Sequence, residues 1–194
     1  MAGALKHRRR TAETEIEIHF DPRGKGRVKV DTGVGFFDHM LHLFGVHGGF
    51  DLEISARGDL YVDFHHTVED VGLVLGELLD QALGDRAGIK RYGEATIPME
   101  EALAQVVVDL ARRPCIVVQG KIGVEKIGQF DTELVKEFYK ALAMSGRFTL
   151  HVRFLYGENA HHLVEASFKA LGHALREAMA PLGDQVPLST KGVL

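Results

Sequence analysis

The chain has 194 residues, with 11 histidines, one cysteine, no tryptophan and a formal net charge of −4. A lone cysteine excludes an internal disulfide framework and any cysteine-built zinc or iron–sulfur site, and it points to a reducing, cytoplasmic compartment. The acidic balance argues against a nucleic-acid partner, no apolar run approaches the roughly 18 residues of a membrane span, and Met1–Leu5 does not read as a signal peptide.

Lys6-His7-Arg8-Arg9-Arg10 reads as a solvated basic arm. From Thr14 to Phe20 the residues alternate, with Ile16, Ile18 and Phe20 on one side, which predicts a half-buried strand. Asp21–Gly26 is a turn, and Arg27–Val30 returns as a second strand. After a loop over 31–35, Phe37, Met40, Leu41 and Phe44 recur at helical spacing until Gly48-Gly49 stops them. Leu52 and Ile54 mark a strand, and Leu60 and Val62 another. Val68, Val71, Leu75, Leu78, Leu79 and Ala82 predict a long amphipathic helix from His65 to Leu83.

The second half repeats this order. Ala95–Ile97, Val106–Leu110, Ile116–Val118 and Leu150–Phe154 read as strands. Leu134, Val135, Phe138 and Leu142 fit a helix ending near Gly146, and a final helix runs from about Ala160 to Met179 before a tail. His65-His66-x-x-Glu69 and His161-His162-x-x-Glu165 lie 96 residues apart, as do Gly76 and Gly172. Phe50 and Phe148, with Leu52 and Leu150, lie 98 apart. The chain is thus a duplicated α+β unit, each copy strand-rich with two helices, divided as 1–92 and 93–194. Each sheet needs one face covered, so the helices should pack against it.

The doubled motif carries the chemistry. On a helix its first histidine and its glutamate share a face, while the second histidine lies about 100° around. Two adjacent imidazoles rarely reach one ion, so they suit two. Four histidines and two carboxylates make a ligand set for a dinuclear site of Mn, Fe or Zn, and spacing does not choose among them. His39 lies 11 residues before Phe50, and Glu137 lies 11 before Phe148. If His39 is a ligand, Glu137 is the candidate for the symmetric place. His47 precedes Gly48-Gly49 in a plausible site-facing loop, whereas His42, His7, His19 and His151 read as surface residues.

Asp31-Thr32-Gly33-Val34-Gly35-Phe36-Phe37-Asp38-His39-Met40, Asp63-Phe64-His65-His66-Thr67-Val68-Glu69-Asp70, Asn159-Ala160-His161-His162-Leu163-Val164-Glu165-Ala166 and Ser189-Thr190-Lys191-Gly192-Val193-Leu194 together resemble the imidazoleglycerol-phosphate dehydratase family of histidine biosynthesis, over about 10–194. The resemblance implies helices packed between two mixed sheets in a ribosomal protein S5 domain 2-like fold. It also implies a 24-subunit homo-oligomer with sites between subunits, and two Mn²⁺ per site. The implied metal ligands are His39, His65, His66, Glu69, His161, His162 and Glu165. The implied substrate residues are Glu13, His39, His47, Arg91, Arg113, Ser189, Thr190 and Lys191, the arginines and the tail serving the phosphate. Glu13, Glu69 and Glu165 are the implied acid–base groups, with Glu13 first.

The implied reaction takes imidazole glycerol phosphate to imidazole acetol phosphate and water. The proton lost has no neighbouring carbonyl, so the ring, held as imidazolate, must push electrons toward the leaving hydroxyl. Several relatives have a histidine ligand where this chain has Glu137. Either the glutamate ligates in its place, or that ion has a water or another geometry there. Two other readings fit the same ligands: a dinuclear phosphoester hydrolase, and an assembly in which metal only staples subunits together.

Overall fold

The computed structural model describes residues 3–183. The first repeat contains β1 (Leu5–Arg10), β2 (Thr14–Asp21), β3 (Val28–Asp31), α1 (Gly35–Gly48), β4 (Asp51–Gly58) and α2 (His65–Leu83). The second contains β5 (Tyr92–Met99), β6 (Ala102–Asp109), β7 (Cys115–Gln119), the short pair β8 (Lys126–Ile127) and β9 (Phe130–Asp131), α3 (Glu133–Ser145), β10 (Thr149–Tyr156) and α4 (Ala160–Ala178). The sheets run β1-β2-β4-β3 and β5-β6-β10-β7. In each, the last pair is parallel and the others are antiparallel. The duplication expected from the repeat and the mixed sheets implied by the resemblance are therefore both present, in matching strand order.

Alternation explains the layers. Ile16, Ile18 and Phe20 of β2 and Leu52, Ile54 and Ala56 of β4 are buried on one face, and Ala104, Val106, Val108, Leu150 and Val152 repeat this in the second sheet. These faces meet α1 and α2 in the first sheet and α3 and α4 in the second. The halves are joined by helices, α1 against α4 and α2 against α3. The helices thus lie between the two sheets. Phe138 of α3 stacks on Phe168 of α4 and meets Phe37 of α1 edge-on, so the aromatic centre of the core belongs to both repeats.

Two glycines set the helix crossings. A Cβ on Gly76 would stand 2.6 Å from the Leu142 carbonyl and 2.7 Å from the Gly146 nitrogen of the α3 end. A Cβ on its repeat partner Gly172 would stand 2.6 Å from the Phe44 carbonyl and 2.8 Å from the Gly48 nitrogen in α1. In both crossings backbone lies against backbone, with no room for a side chain. The linker between repeats is held by Arg86, whose side chain is fully buried. It donates to the carbonyls of Leu110, Gly146 and Arg147 and pairs with Asp80. Burial pulls its pKa down from the usual arginine value, against the upward pull of Asp80.

Two local expectations are corrected, and one short strand pair was not anticipated. The basic arm is strand β1, paired with β2. Its half-buried face carries Leu5, His7 and Arg9 rather than an apolar run, because Glu77 and Asp70 of α2 meet His7 and Arg9 there. Lys6 and Arg8 pair with Glu17 and Glu15 on the other face. Leu60 and Val62 are not a strand. The chain turns after β4, and Val62 N–H donates to the Asp59 carbonyl at 2.8 Å, leaving no ladder partner. The β8–β9 pair escapes periodicity because each strand has only two residues.

Replacing Gly76 or Gly172 by Ala should destabilise the fold by about 1–3 kcal/mol, the range for overpacking a filled interior. Urea denaturation of each variant beside the parent chain checks this.

Candidate metal centre

Each histidine pair is placed by the same local device. Asp63 accepts the His65 N–H at 2.7 Å, and Asn159 accepts the His161 N–H at 2.9 Å. These residues stand at equivalent repeat positions, two before the first histidine. They satisfy a free amide at the helix start and put the histidines in the first turn.

The first histidine and the glutamate of each motif face a helix of the other repeat. His161 and Glu165 of α4 meet His39 of α1. Glu165 Oε2 lies 3.3 Å from His39 Nε2 and 3.2 Å from His161 Nε2. His65 and Glu69 of α2 meet Glu137 of α3, with His65 Nε2 3.6 Å from Glu69 Oε2. Within each triad, one donor atom per residue falls within 4.8 Å of the others. Donors about 2.1 Å from a common ion and at right angles around it stand about 3 Å apart, so the nitrogen–oxygen separations fit a shared ion. His39 and Glu137, equivalent by the repeat, occupy equivalent places.

The surroundings tune the triads. Phe36 meets the His161 ring edge-on at 5.3 Å. Burial pushes the Glu165 carboxyl toward its neutral form, but the hydrogen bond from Lys169 Nζ to Oε1, at 2.6 Å, and the nearby His39 outweigh it and keep it below the usual carboxylate range. Lys140 holds Oε2 of Glu137 at 3.2 Å.

The second histidine of each motif turns to other partners. His66 Nδ1 lies 3.0 Å from Asp59 Oδ2, and its Nε2 lies 3.8 Å from Glu13 Oε1. His162 Nδ1 lies 2.8 Å from Glu101 Oε2. The hydrogen bond that His66 donates to Asp59 raises the His66 pKa, and the one that His162 donates to Glu101 raises the His162 pKa. In return, His162 and then the Asn159 N–H pull the Glu101 carboxyl down to about 2. A carboxylate on Nδ1 fixes the tautomer that leaves Nε2 able to ligate. Asp59 and Glu101 were missed by sequence reasoning, and the equivalence that points to Glu101 emerges only from the strand registers. The strand registers pair Phe20 with Leu52 and Val108 with Leu150, so Glu13 and Glu101, each seven residues earlier, are repeat equivalents.

The remaining candidates are placed apart from this pattern. His47 sits in the last turn of α1, with its ring 5.6 Å from that of His173. Its pKa is lowered, first by burial, then by Lys169 and His173. Arg91 is buried, its Nε donates to Asp109 Oδ1 at 2.7 Å, and it lies over the Tyr92 ring. Exposed Arg113 meets the same carboxylate at 3.3 Å, so the two arginines converge on Asp109 at the end of β6. Ser189, Thr190 and Lys191 lie outside the described residues.

Residues 32–175 match the family model described as imidazoleglycerol-phosphate dehydratase. A Clostridium botulinum (strain Langeland) protein of that name is 54% identical over 188 residues, 96% of this chain and 95% of its own. A Magnetococcus marinus protein of the same name is 52% identical over 197 aligned residues, 100% of this chain and 99% of its own. The solved imidazoleglycerol-phosphate dehydratase of Staphylococcus aureus superposes with a TM-score of 0.83 at 40% identity, covering 92% of this chain and 99% of that one. The Pyrococcus furiosus structure, in complex with (S)-C348, gives 0.84 at 41% identity, covering 97% and 100%. No helix among the described residues is long and apolar enough to cross a membrane.

Glu101→Gln should lower the His162 pKa back toward the ordinary imidazole value, because the carboxylate that favours the imidazolium is gone. An NMR titration of the histidine rings in metal-free protein reads this directly. The His66 value, set by Asp59, should not move.

Proposed function

The chain belongs to the imidazoleglycerol-phosphate dehydratase family, which are hydro-lyases, and we propose that it converts imidazole glycerol phosphate to imidazole acetol phosphate and water with two Mn²⁺ seated on its two helix-borne triads. The observation that carries this is the pseudo-symmetric pair of triads, each assembled from both repeats. His39, His161 and Glu165 would hold one ion, and His65 and Glu69, beside Glu137, the other. When bound, the ions supply Lewis acidity that holds the substrate ring as imidazolate. Imidazole and carboxylate donors in a mixed set suit that role.

The chain's own groups do the rest. The Glu13 carboxylate is exposed and lies beside His66 Nε2, so it can approach a ligand at that histidine and move protons on the glycerol chain. Glu69 and Glu165 are the further acid–base candidates, each next to the first histidine of its motif. Arg113 presents an exposed guanidinium beside Arg91, and Ser189, Thr190 and Lys191 would complete the phosphate grip. His47 stays a substrate-facing candidate at the end of α1.

Among the described residues His66 belongs to no group of converging donors, and His162 groups with Glu100 and Glu101 rather than with either helix-borne triad. That arrangement supports a homo-oligomer, of 24 subunits in our reading, in which the second histidine of one protomer completes a site of its neighbour. A cytoplasmic location accords with the single cysteine.

Mn²⁺-loaded, assembled protein should turn imidazole glycerol phosphate into a ketone. Release of inorganic phosphate instead would mean a phosphoester hydrolase. Absence of turnover, with chelation dissociating the assembly, would mean a metal staple. Glu13→Gln should cut kcat about 10²–10⁴-fold while Mn content stays at the parental level. Lys191→Ala should raise KM with metal content unchanged, and loss of metal in that variant would remove the phosphate assignment.

A further inference from the structure

The two triads are equivalent by position but not by chemistry. His39 and Glu137 stand at the same place in the two repeats, each facing a first histidine and a glutamate from the other half. One triad is therefore two imidazoles and one carboxylate, and the other is one imidazole and two carboxylates. The lysines do not even this out, since each triad has one lysine on one carboxylate, Lys169 on Glu165 and Lys140 on Glu137. The triad with Glu137 carries one more negative charge and one more hard oxygen donor.

We propose that Glu137 is a metal ligand, and that it makes the α2–α3 seat a harder site that fills first with Mn²⁺ and favours zinc less than the α1–α4 seat does. This rests on the dinuclear reading above. Affinity for a hard dication rises with the number of charged oxygen ligands. Imidazole favours zinc and later transition metals, while carboxylate suits manganese and magnesium. The repeat supplies the internal control, because the same backbone position holds a nitrogen donor in one half and an oxygen donor in the other.

The test is metal binding, not turnover. The full-length assembled protein is stripped with a chelator and titrated with Mn²⁺ by calorimetry, with bound metal counted by elemental analysis. The parent should take up two Mn²⁺ per chain in two resolved steps. Glu137→Gln should weaken the tighter step at least about 10-fold and leave the other in place. Glu137→His should merge the two steps and raise the zinc-over-manganese preference of the altered seat to that of its partner. His39→Glu should merge them from the other side. Two equal steps in the parent, or an unchanged isotherm in Glu137→Gln, would overturn this inference and leave the dinuclear reading standing. A parent chain that binds no Mn²⁺ would overturn both.

Discussion

Where α2 crosses α3, and again where α4 crosses α1, a glycine lets one helix backbone lie directly on another. The candidate centre depends on that contact. An α-helix carries its side chains at a fixed radius, so residues on two helices share a point in space only when the axes run close. Gly76 and Gly172 remove the atoms that would hold the axes apart. His65 and Glu69 can then meet Glu137, and His161 and Glu165 can meet His39. Neither triad exists within one repeat.

The rest of the fold supports this crossing. Each sheet buries one face under the helices, and the aromatic contacts among Phe37, Phe138 and Phe168 fill the space between repeats. Arg86 closes the linker by donating to the carbonyls of Leu110, Gly146 and Arg147. Asp63 and Asn159 fix where α2 and α4 begin, and so the height at which the histidines emerge. A shift of one residue there would rotate both histidines by about 100° and separate them from the opposite helix.

Within each motif the two histidines divide their tasks. The first faces inward across the repeat interface. The second is held by a carboxylate on Nδ1, Asp59 for His66 and Glu101 for His162. This leaves a defined Nε2 for partners outside the triad. Such a division follows from the helix itself, because adjacent residues cannot point at one target. The internal repeat then supplies two of everything, with small differences, such as Glu137 against His39, where the copies have diverged.

Much of this was legible in the sequence. The repeat, the four helices, most of the strands, the paired motifs and the equivalence of His39 and Glu137 all follow from spacing, since helix and strand periods write themselves along the chain. Strand β1 was not legible, because its inner face carries His7 and Arg9, whose acidic partners lie on α2, far along the sequence. Leu60 and Val62 read as a strand because alternation alone does not reveal whether a ladder partner is present. Asp59, Glu101 and the meeting of Arg91 with Arg113 at Asp109 were decided only by tertiary structure, as was the joining of each motif to the opposite repeat. Local periodicity determines which face of an element is apolar. Which distant side chain comes to rest against that face depends on how closely two backbones approach, and here glycines at the crossings, Gly76 and Gly172 among them, allow that approach.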